Sequence, residues 1–147
     1  MRLPDSRGVA GAQQQIWVLV VDDDAPVSVA LSRLLSPFRV TFAQSASGAL
    51  GRLHAGGKFD AILCDIHMPG MNGMQFYDEV AKVSAHLARR IIFITGGAFS
   101  PEAADFLERT RNTCLTKPVN REALKAAVAA AAREASVTEA VAHGVAP

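Results

Sequence analysis

The sequence predicts a three-layer, doubly wound α/β sandwich built on a five-stranded parallel sheet. Five short segments of strand length alternate with five segments in which apolar residues recur at helical spacing. The connections between them are short, which favours right-handed strand–helix–strand units. Four of the five strand candidates are dominated by apolar residues, as parallel strands covered by helices on both faces require.

Length and composition indicate one domain with a sizeable core. The chain has 147 residues, half of them hydrophobic. Its net charge is +1 without a block of like charge, so we expect no nucleic-acid partner. The start of the chain has no signal pattern, and the longest apolar runs have only strand length, so we expect no membrane association and a cytoplasmic location. The two cysteines are interpreted as small core residues.

The first fifteen residues show neither helical nor strand periodicity, so we predict a flexible arm or linker at residues 1–15. The domain proper is predicted at residues 16–135, with a C-terminal tail at residues 136–147. The strand candidates within the domain are residues 16–21, 39–43, 61–64, 90–94 and 113–115. The second of them has a more mixed composition and therefore suits an edge of the sheet.

Helix signals follow each strand in turn. Asp24 is a plausible N-cap for the first helix, which has Pro26 in its first turn. A second apolar stripe ends at two glycines, and a third follows the turn-forming loop 69–73. Ser100 and Pro101 open the fourth helix, and Asn120 caps the fifth. The five apolar stripes are Val27, Ala30, Leu31, Leu34 and Leu35; Ala46, Ala49, Leu50 and Leu53; Phe76, Val80, Val83 and Leu87; Ala103, Phe106 and Leu107; Leu124, Ala127, Val128 and Ala131.

Polar residues follow the first, third, fourth and fifth strand candidates. Asp22 and Asp23 follow the first, Asp65 the third, Thr95 the fourth and Lys117 the last. The carboxyl ends of parallel strands meet at one edge of a sheet, which is where ligands bind in open α/β folds. We therefore expect these side chains to form one site.

The residue types in this group indicate phosphoryl chemistry. Three carboxylates brought together repel one another unless they share a cation, and oxygen-only ligands favour Mg²⁺ over zinc or copper. Lys117 supplies a positive charge for phosphate oxygens, and Thr95 adds a hydroxyl. An aspartate beside a metal and a lysine suits covalent capture of a phosphoryl group, so we predict an aspartyl phosphate at Asp65.

From residue 16 to about residue 133, these motifs in this order resemble the CheY-like receiver domain of bacterial two-component response regulators. The resemblance implies a flavodoxin-like fold with strand order 2-1-3-4-5. It implies that Asp65 is the phosphoacceptor and that Asp22, Asp23 and Asp65 hold Mg²⁺ together with the backbone carbonyl of His67. It further implies that Thr95 is the switch hydroxyl and that Lys117, which contacts the phosphate, precedes a cis peptide bond to Pro118.

The sequence departs from the family pattern at two positions. Cys114 stands where the family usually carries a tyrosine or phenylalanine, which calls a threonine–aromatic switch into question. We hypothesise that Phe99 takes over part of the coupling. The second departure is His67, whose side chain we expect to modulate the access of water to the phosphoryl group.

The leading functional hypothesis is a phosphorelay signalling module that catalyses its own phosphorylation and dephosphorylation. It takes a phosphoryl group from a phosphohistidine of a sensor histidine kinase or phosphotransfer domain. It then changes its affinity for a downstream protein through the fourth helix and fifth strand. The module is either freestanding or the receiver of a hybrid sensor histidine kinase.

Two alternatives remain open from the sequence. One is a Mg²⁺-dependent phosphohydrolase with an aspartyl-phosphate intermediate, although such enzymes usually carry a second acid where this chain has His67. The other is a degenerate receiver that serves only as an interaction module, against which the intact acids, threonine and lysine argue.

Overall fold

The computed structural model describes residues 15–97 and 100–142, with side chains through residue 136. The described residues form five strands and six helices. In chain order these are β1 (Trp17–Val21), α1 (Ala25–Leu35), β2 (Arg39–Ala43), α2 (Ala46–His54), β3 (Ala61–Asp65), α3 (Gly73–Val83), α4 (Ala85–Arg89), β4 (Ile91–Thr95), α5 (Pro101–Thr110), β5 (Cys114–Thr116) and α6 (Arg121–Ala142). The predicted fourth and fifth helices correspond to α5 and α6.

The five strands form one parallel sheet in the order β2-β1-β3-β4-β5. This confirms the predicted fold class and the strand order that the resemblance implied. The mixed composition of β2 suits its observed place at the edge of the sheet. The sheet order reverses between β1 and β3, and this reversal brings their carboxyl ends side by side at the edge where the acidic residues lie.

Successive side chains of the strands contribute alternately to two separate hydrophobic layers. One layer packs Leu19, Ile62 and Phe93 against helices α2 to α5. The other packs Val20, Leu63 and other strand residues against α1 and α6. Residues 18–21 and 91–95 are almost entirely buried, because helices cover both faces of the central strands.

The structure differs from the predicted helices at two places. The third predicted helix is two helices, because Ser84 is extended (φ −159°, ψ 114°) and its side chain accepts a hydrogen bond from Leu87 N–H, which starts α4. The apolar stripe continues across this break, so periodicity alone did not reveal it. The last helix, α6, extends to Ala142 and enters the segment expected to be a tail.

The predicted helix starts at Asp24, Ser100 and Asn120 are confirmed. Each side chain accepts a hydrogen bond from a backbone N–H in the first turn of its helix. The predicted arm at residues 1–15 lies outside the described residues apart from Gln15. In the described part of the chain, no helix has both the length and the apolar character needed to cross a membrane.

Candidate functional site

The predicted site residues lie together at the carboxyl edge of the sheet. Asp22 and Asp23 follow β1 directly, Asp65 is the last residue of β3, Thr95 is the last residue of β4, and Lys117 follows β5. Asp22 and Thr95 are buried. Asp23 is exposed, and Asp65 is partly exposed. Strand ends that are far apart in the sequence therefore build one mixed acidic and basic site.

The three carboxylates are close enough to share one cation. One oxygen from each of Asp22, Asp23 and Asp65 can be chosen so that all three lie within 4.8 Å of one another. Oxygen ligands at the usual Mg²⁺ distance of about 2.1 Å are at most about 4.2 Å apart when they lie on opposite sides of the ion. Small side-chain movements close this difference, so the residues present fit an oxygen-bound divalent cation.

The Asp65 carboxylate is held by the backbone of the following loop. Its Oδ1 accepts a hydrogen bond of 3.1 Å from the His67 N–H. Burial is the main cause that raises the pKa of Asp65 above its ordinary value, and the charges of Asp22 and Asp23 add to the increase. The His67 hydrogen bond and the Lys117 charge act in the opposite direction.

Lys117 brings a positive charge to the acids without a direct hydrogen bond to either. Its Nζ is 3.7 Å from Asp22 Oδ2 and 3.9 Å from Asp65 Oδ2. The backbone N–H of Lys117 donates to the Thr95 carbonyl oxygen at 2.8 Å, which fixes the end of β5 beside the end of β4. The peptide bond between Lys117 and Pro118 is cis, as the resemblance implied.

Thr95 carries a buried hydroxyl that has no hydrogen-bond partner in the described structure. The residue is fully buried at the end of β4, in register with Thr116 of β5. A buried polar group without a partner costs free energy unless another group satisfies it. The Thr95 hydroxyl is therefore available to a group that enters the site.

The structure shows the surroundings of Cys114, the first departure from the family pattern. Cys114 is partly buried in β5 beside Phe93 of β4, and burial raises the pKa of its thiol. Phe93 and Tyr77 each pack edge-on against Phe106 of α5, with ring centroids 5.4 and 5.2 Å from that of Phe106. Phe99, the residue proposed to replace the missing aromatic, lies outside the described residues.

His67 is exposed, and its N–H is the group that contacts Asp65. The metal-binding role that the resemblance gave to its carbonyl oxygen stays a prediction.

Cys64 is fully buried next to Asp65, and burial raises the pKa of its thiol well above the ordinary value, with the Asp65 and Asp22 charges adding to it. This agrees with the interpretation of Cys64 as a core residue.

The sequence interpretation missed Gly73, which it treated only as part of a turn. Gly73 starts α3 and lies against the backbone of Asp65 and Ile66. The available signal was a glycine directly before an apolar helical stripe, a position where a polar or acidic residue is more usual.

Comparisons with known proteins agree with this arrangement. Residues 18–129 match the family described as "Response regulator receiver domain". The chain is similar to the transcriptional regulatory protein GlrR of Escherichia coli strain K12, with 31% identity over 76% of this chain and 25% of GlrR. It is also similar to the sensor histidine kinase RcsC of Salmonella typhi, with 28% identity over 94% of this chain and 14% of RcsC.

Among solved structures, the fold is similar to that of the chemotaxis protein CheY4 of Vibrio cholerae. The TM-score is 0.65 and the identity is 29%, and the match covers 76% of this chain and 93% of the CheY4 chain. The match thus covers nearly all of the CheY4 chain, but a quarter or less of the length of GlrR and RcsC.

Proposed function

The chain belongs to the response regulator receiver domains of two-component systems, and on that basis we propose that Asp65 is its phosphoacceptor, assisted by Lys117 and Thr95. The observation that supports this assignment best is the convergence of three carboxylates and a lysine at one edge of the sheet. Family membership favours a receiver over the phosphohydrolase alternative. The complete set of acids, hydroxyl and lysine favours an active receiver over a degenerate one.

We propose that Asp22, Asp23 and Asp65 hold a Mg²⁺ ion, with the His67 carbonyl oxygen as a further ligand. The geometry of the cluster and its oxygen-only donors support the three carboxylate ligands. Bound there, Mg²⁺ would supply positive charge to neutralise the phosphoryl oxygens. The buried position of Asp22 and its contact with Lys117 keep its carboxylate facing the site.

The reaction is the transfer of a phosphoryl group from a phosphohistidine to Asp65. An Asp65 carboxylate oxygen forms the new P–O bond while the P–N bond breaks, and the histidine nitrogen keeps the electron pair. Lys117 would pair with a phosphoryl oxygen, because its Nζ already lies within 4 Å of an Asp65 oxygen. The phosphoryl group is removed in a separate hydrolysis step, in which water attacks phosphorus, the P–O bond to Asp65 breaks, and the Asp65 carboxylate and inorganic phosphate are released.

Receiver domains exchange phosphoryl groups with histidine kinases or phosphotransfer domains and contact downstream effectors. For this chain we propose that the output face is formed by α5 and β5. Thr95 ends β4 next to β5, and its unpaired buried hydroxyl would reach the phosphoryl group and transmit its presence to these elements. We propose that this domain is either a freestanding regulator or the receiver of a hybrid sensor histidine kinase. A transcriptional regulatory protein, GlrR, and a sensor histidine kinase, RcsC, are both among its relatives.

The test is labelling with a small phosphodonor. The protein is incubated with Mg²⁺ and acetyl phosphate, and its intact mass is followed for one added phosphoryl group. We expect a labile adduct that disappears with Asp65→Asn and with a chelator. Asp78→Asn, an exposed acid on α3, is the matched control and should label normally. Labelling of Asp65→Asn at the wild-type rate would contradict the assignment of Asp65.

A further inference from the structure

Gly73, the first residue of α3, lies in close contact with the backbone that carries Asp65. A Cβ atom added to Gly73 would be 2.9 Å from the Asp65 carbonyl oxygen and 2.9 Å from Ile66 Cα. Its third neighbour would be Phe93 Cε1 at 3.3 Å, an atom of a fully buried ring. Since the two closest atoms belong to the backbone, no change of side-chain rotamer could relieve these contacts.

Close approach, and not backbone conformation, is what requires a glycine here. The described glycines with positive φ are Gly56 and Gly70, and Gly73 is not among them. An alanine at position 73 would therefore suit the helix itself. The conflict would arise only between its methyl group and the end of β3.

The segments on both sides of this contact are fixed by hydrogen bonds. The Gly73 N–H donates to the Ile66 carbonyl oxygen at 2.9 Å, and the Ile66 N–H donates to the Ile94 carbonyl oxygen at 3.1 Å. The start of α3 is further fixed by a capping box between Asn72 and Gln75. A methyl group at position 73 must therefore displace either the helix start or the end of β3.

We propose that Gly73 is a positioning residue for the phosphoacceptor. Its missing side chain lets α3 press against the end of β3 and holds the Asp65 carboxylate near Asp22, Asp23 and Lys117. The same contact holds the loop that places the His67 N–H on Asp65. This inference rests on the proposed function of Asp65, and it assigns to α3 a role in the geometry of the site.

The test compares Gly73→Ala with Val80→Ala. Val80 is fully buried on the same helix, so its truncation weakens the packing of α3 without adding an atom near Asp65. Mg²⁺ affinity is measured by calorimetry, and the labelling rate by acetyl phosphate at saturating Mg²⁺. We expect Gly73→Ala to lower both by about tenfold or more, because small displacements of reacting groups are costly. Val80→Ala should lower the melting temperature but leave both measurements unchanged.

A second readout does not depend on metal or phosphorylation. In the metal-free protein, the amide resonance of His67 reports on its hydrogen bond to Asp65. We expect it to shift in Gly73→Ala and to stay in place in Val80→Ala. If the wild-type protein shows no labelling that depends on Asp65, the proposed function fails, whereas the His67 comparison still decides the role of Gly73.

Stability is controlled with a second glycine. Gly51 lies in α2 and has no atom within 4 Å of an added Cβ, so Gly51→Ala should stabilise the fold and serve as a background for Gly73→Ala. The inference is overturned if Gly73→Ala leaves the His67 resonance and the Mg²⁺ affinity unchanged, or if Val80→Ala reduces them equally. Loss of the folded state in both backgrounds would also overturn it, because the contact would then serve the whole fold.

Discussion

Asp65 combines a buried environment with the need to carry a negative charge. Its pKa is raised mainly by burial, so the folded protein keeps the Asp65 proton to a higher pH than the unfolded chain does. Between those two pKa values the folded state binds more protons, and its stability falls as the pH rises. At neutral pH the ionised Asp65 carboxylate therefore lowers the free energy of unfolding of the metal-free protein.

Asp65→Asn should remove this destabilisation, because the asparagine side chain carries no charge. Without metal, we expect the mutant to be more stable than wild type at pH 7, and the difference to shrink as the pH falls toward the ordinary carboxyl value of 3.8. The asparagine oxygen can still accept the hydrogen bond from the His67 N–H. Urea unfolding in the presence of a chelator, at several pH values, measures the difference. A mutant that is less stable than wild type at pH 7 would contradict the direction of the pKa shift.

Thr95 presents a similar conflict, because its buried hydroxyl has no partner among the described residues. We expect Thr95→Val to leave the stability of the unphosphorylated protein unchanged or to raise it by up to about 1 kcal/mol, since an apolar group of the same shape removes an unsatisfied donor. Thr116→Val, at the exposed register partner on β5, is the control. Equilibrium unfolding tests this, and a loss of 2 kcal/mol or more, about the cost of a broken buried hydrogen bond, would show that the hydroxyl is already satisfied.

At the scale of helices and strands, the fold includes contacts that sequence patterns do not predict. Asn112, in the short segment before β5, donates through its Nδ2 to the carbonyl oxygens of Ala88 and Ile91 at 2.9 and 2.8 Å. These two bonds connect the end of α4 to the start of β4. We expect Asn112→Ala to lower the free energy of unfolding by about 1–3 kcal/mol, because two carbonyl groups lose a donor.

The Asn112 prediction also separates stability from function. Asn112 lies just before β5 and contacts the start of β4, whereas the carboxylates lie at the carboxyl edge of the sheet, so labelling at Asp65 should be unaffected. Chemical denaturation and the acetyl phosphate assay together measure both properties. A variant of wild-type stability would mean that water replaces the side chain, and reduced labelling would mean that the two edges of the sheet are coupled.

The output face can be tested by hydrogen exchange. If the Thr95 hydroxyl transmits phosphorylation to α5 and β5, amide exchange should change upon labelling at Pro101–Thr110 and Cys114–Thr116, and Thr95→Val should remove that change. Ala46–His54 of α2, which packs against β1 and β2 away from the β5 edge of the sheet, is the internal control. Equal changes in α2 and α5 would contradict a localised output face.

Helix periodicity and capping residues predicted most elements because each reports on local physics. Asp24, Ser100 and Asn120 start helices as their side chains require. Ser84 was missed because the apolar stripe on either side of it continues in phase, so its extended backbone leaves no mark in the periodicity. Asn112 was missed for another reason, since its partners are 21 and 24 residues away in the sequence.

At the scale of the whole molecule, topology made the site predictable. Residues that follow separate strands of a parallel sheet must meet at one edge, so Asp22, Asp65 and Lys117 could be grouped before any distance was known. The contact of Gly73 with Asp65 could not be predicted in this way, because it depends on how closely a helix packs against a strand end. Sequence patterns report which face an element buries but not the separation of two backbones.

The acidic cluster also links the stability of the whole domain to metal binding. Without metal, the carboxylates repel one another, and Lys117 compensates only partly because its distances to Asp22 and Asp65 are 3.7 and 3.9 Å. A ligand that binds only the folded state raises the free energy of unfolding by about 2.7 kcal/mol at one hundred times its dissociation constant. Removing one acid should therefore have opposite effects in the absence and in the presence of Mg²⁺.

Asp23→Asn is the variant that tests this reversal, because Asp23 is the exposed member of the cluster and its replacement leaves no buried group unpaired. In a chelator, we expect the mutant to be at least as stable as wild type, since one repulsive charge is gone. In saturating Mg²⁺, wild type should become the more stable protein, because the mutant has lost a ligand and gains less from the ion. Melting temperatures of the two proteins, plotted against Mg²⁺ concentration, should give two curves that cross. Parallel curves would mean that Asp23 takes no part in metal binding, and the ligand set would then reduce to Asp22 and Asp65 with the loop backbone.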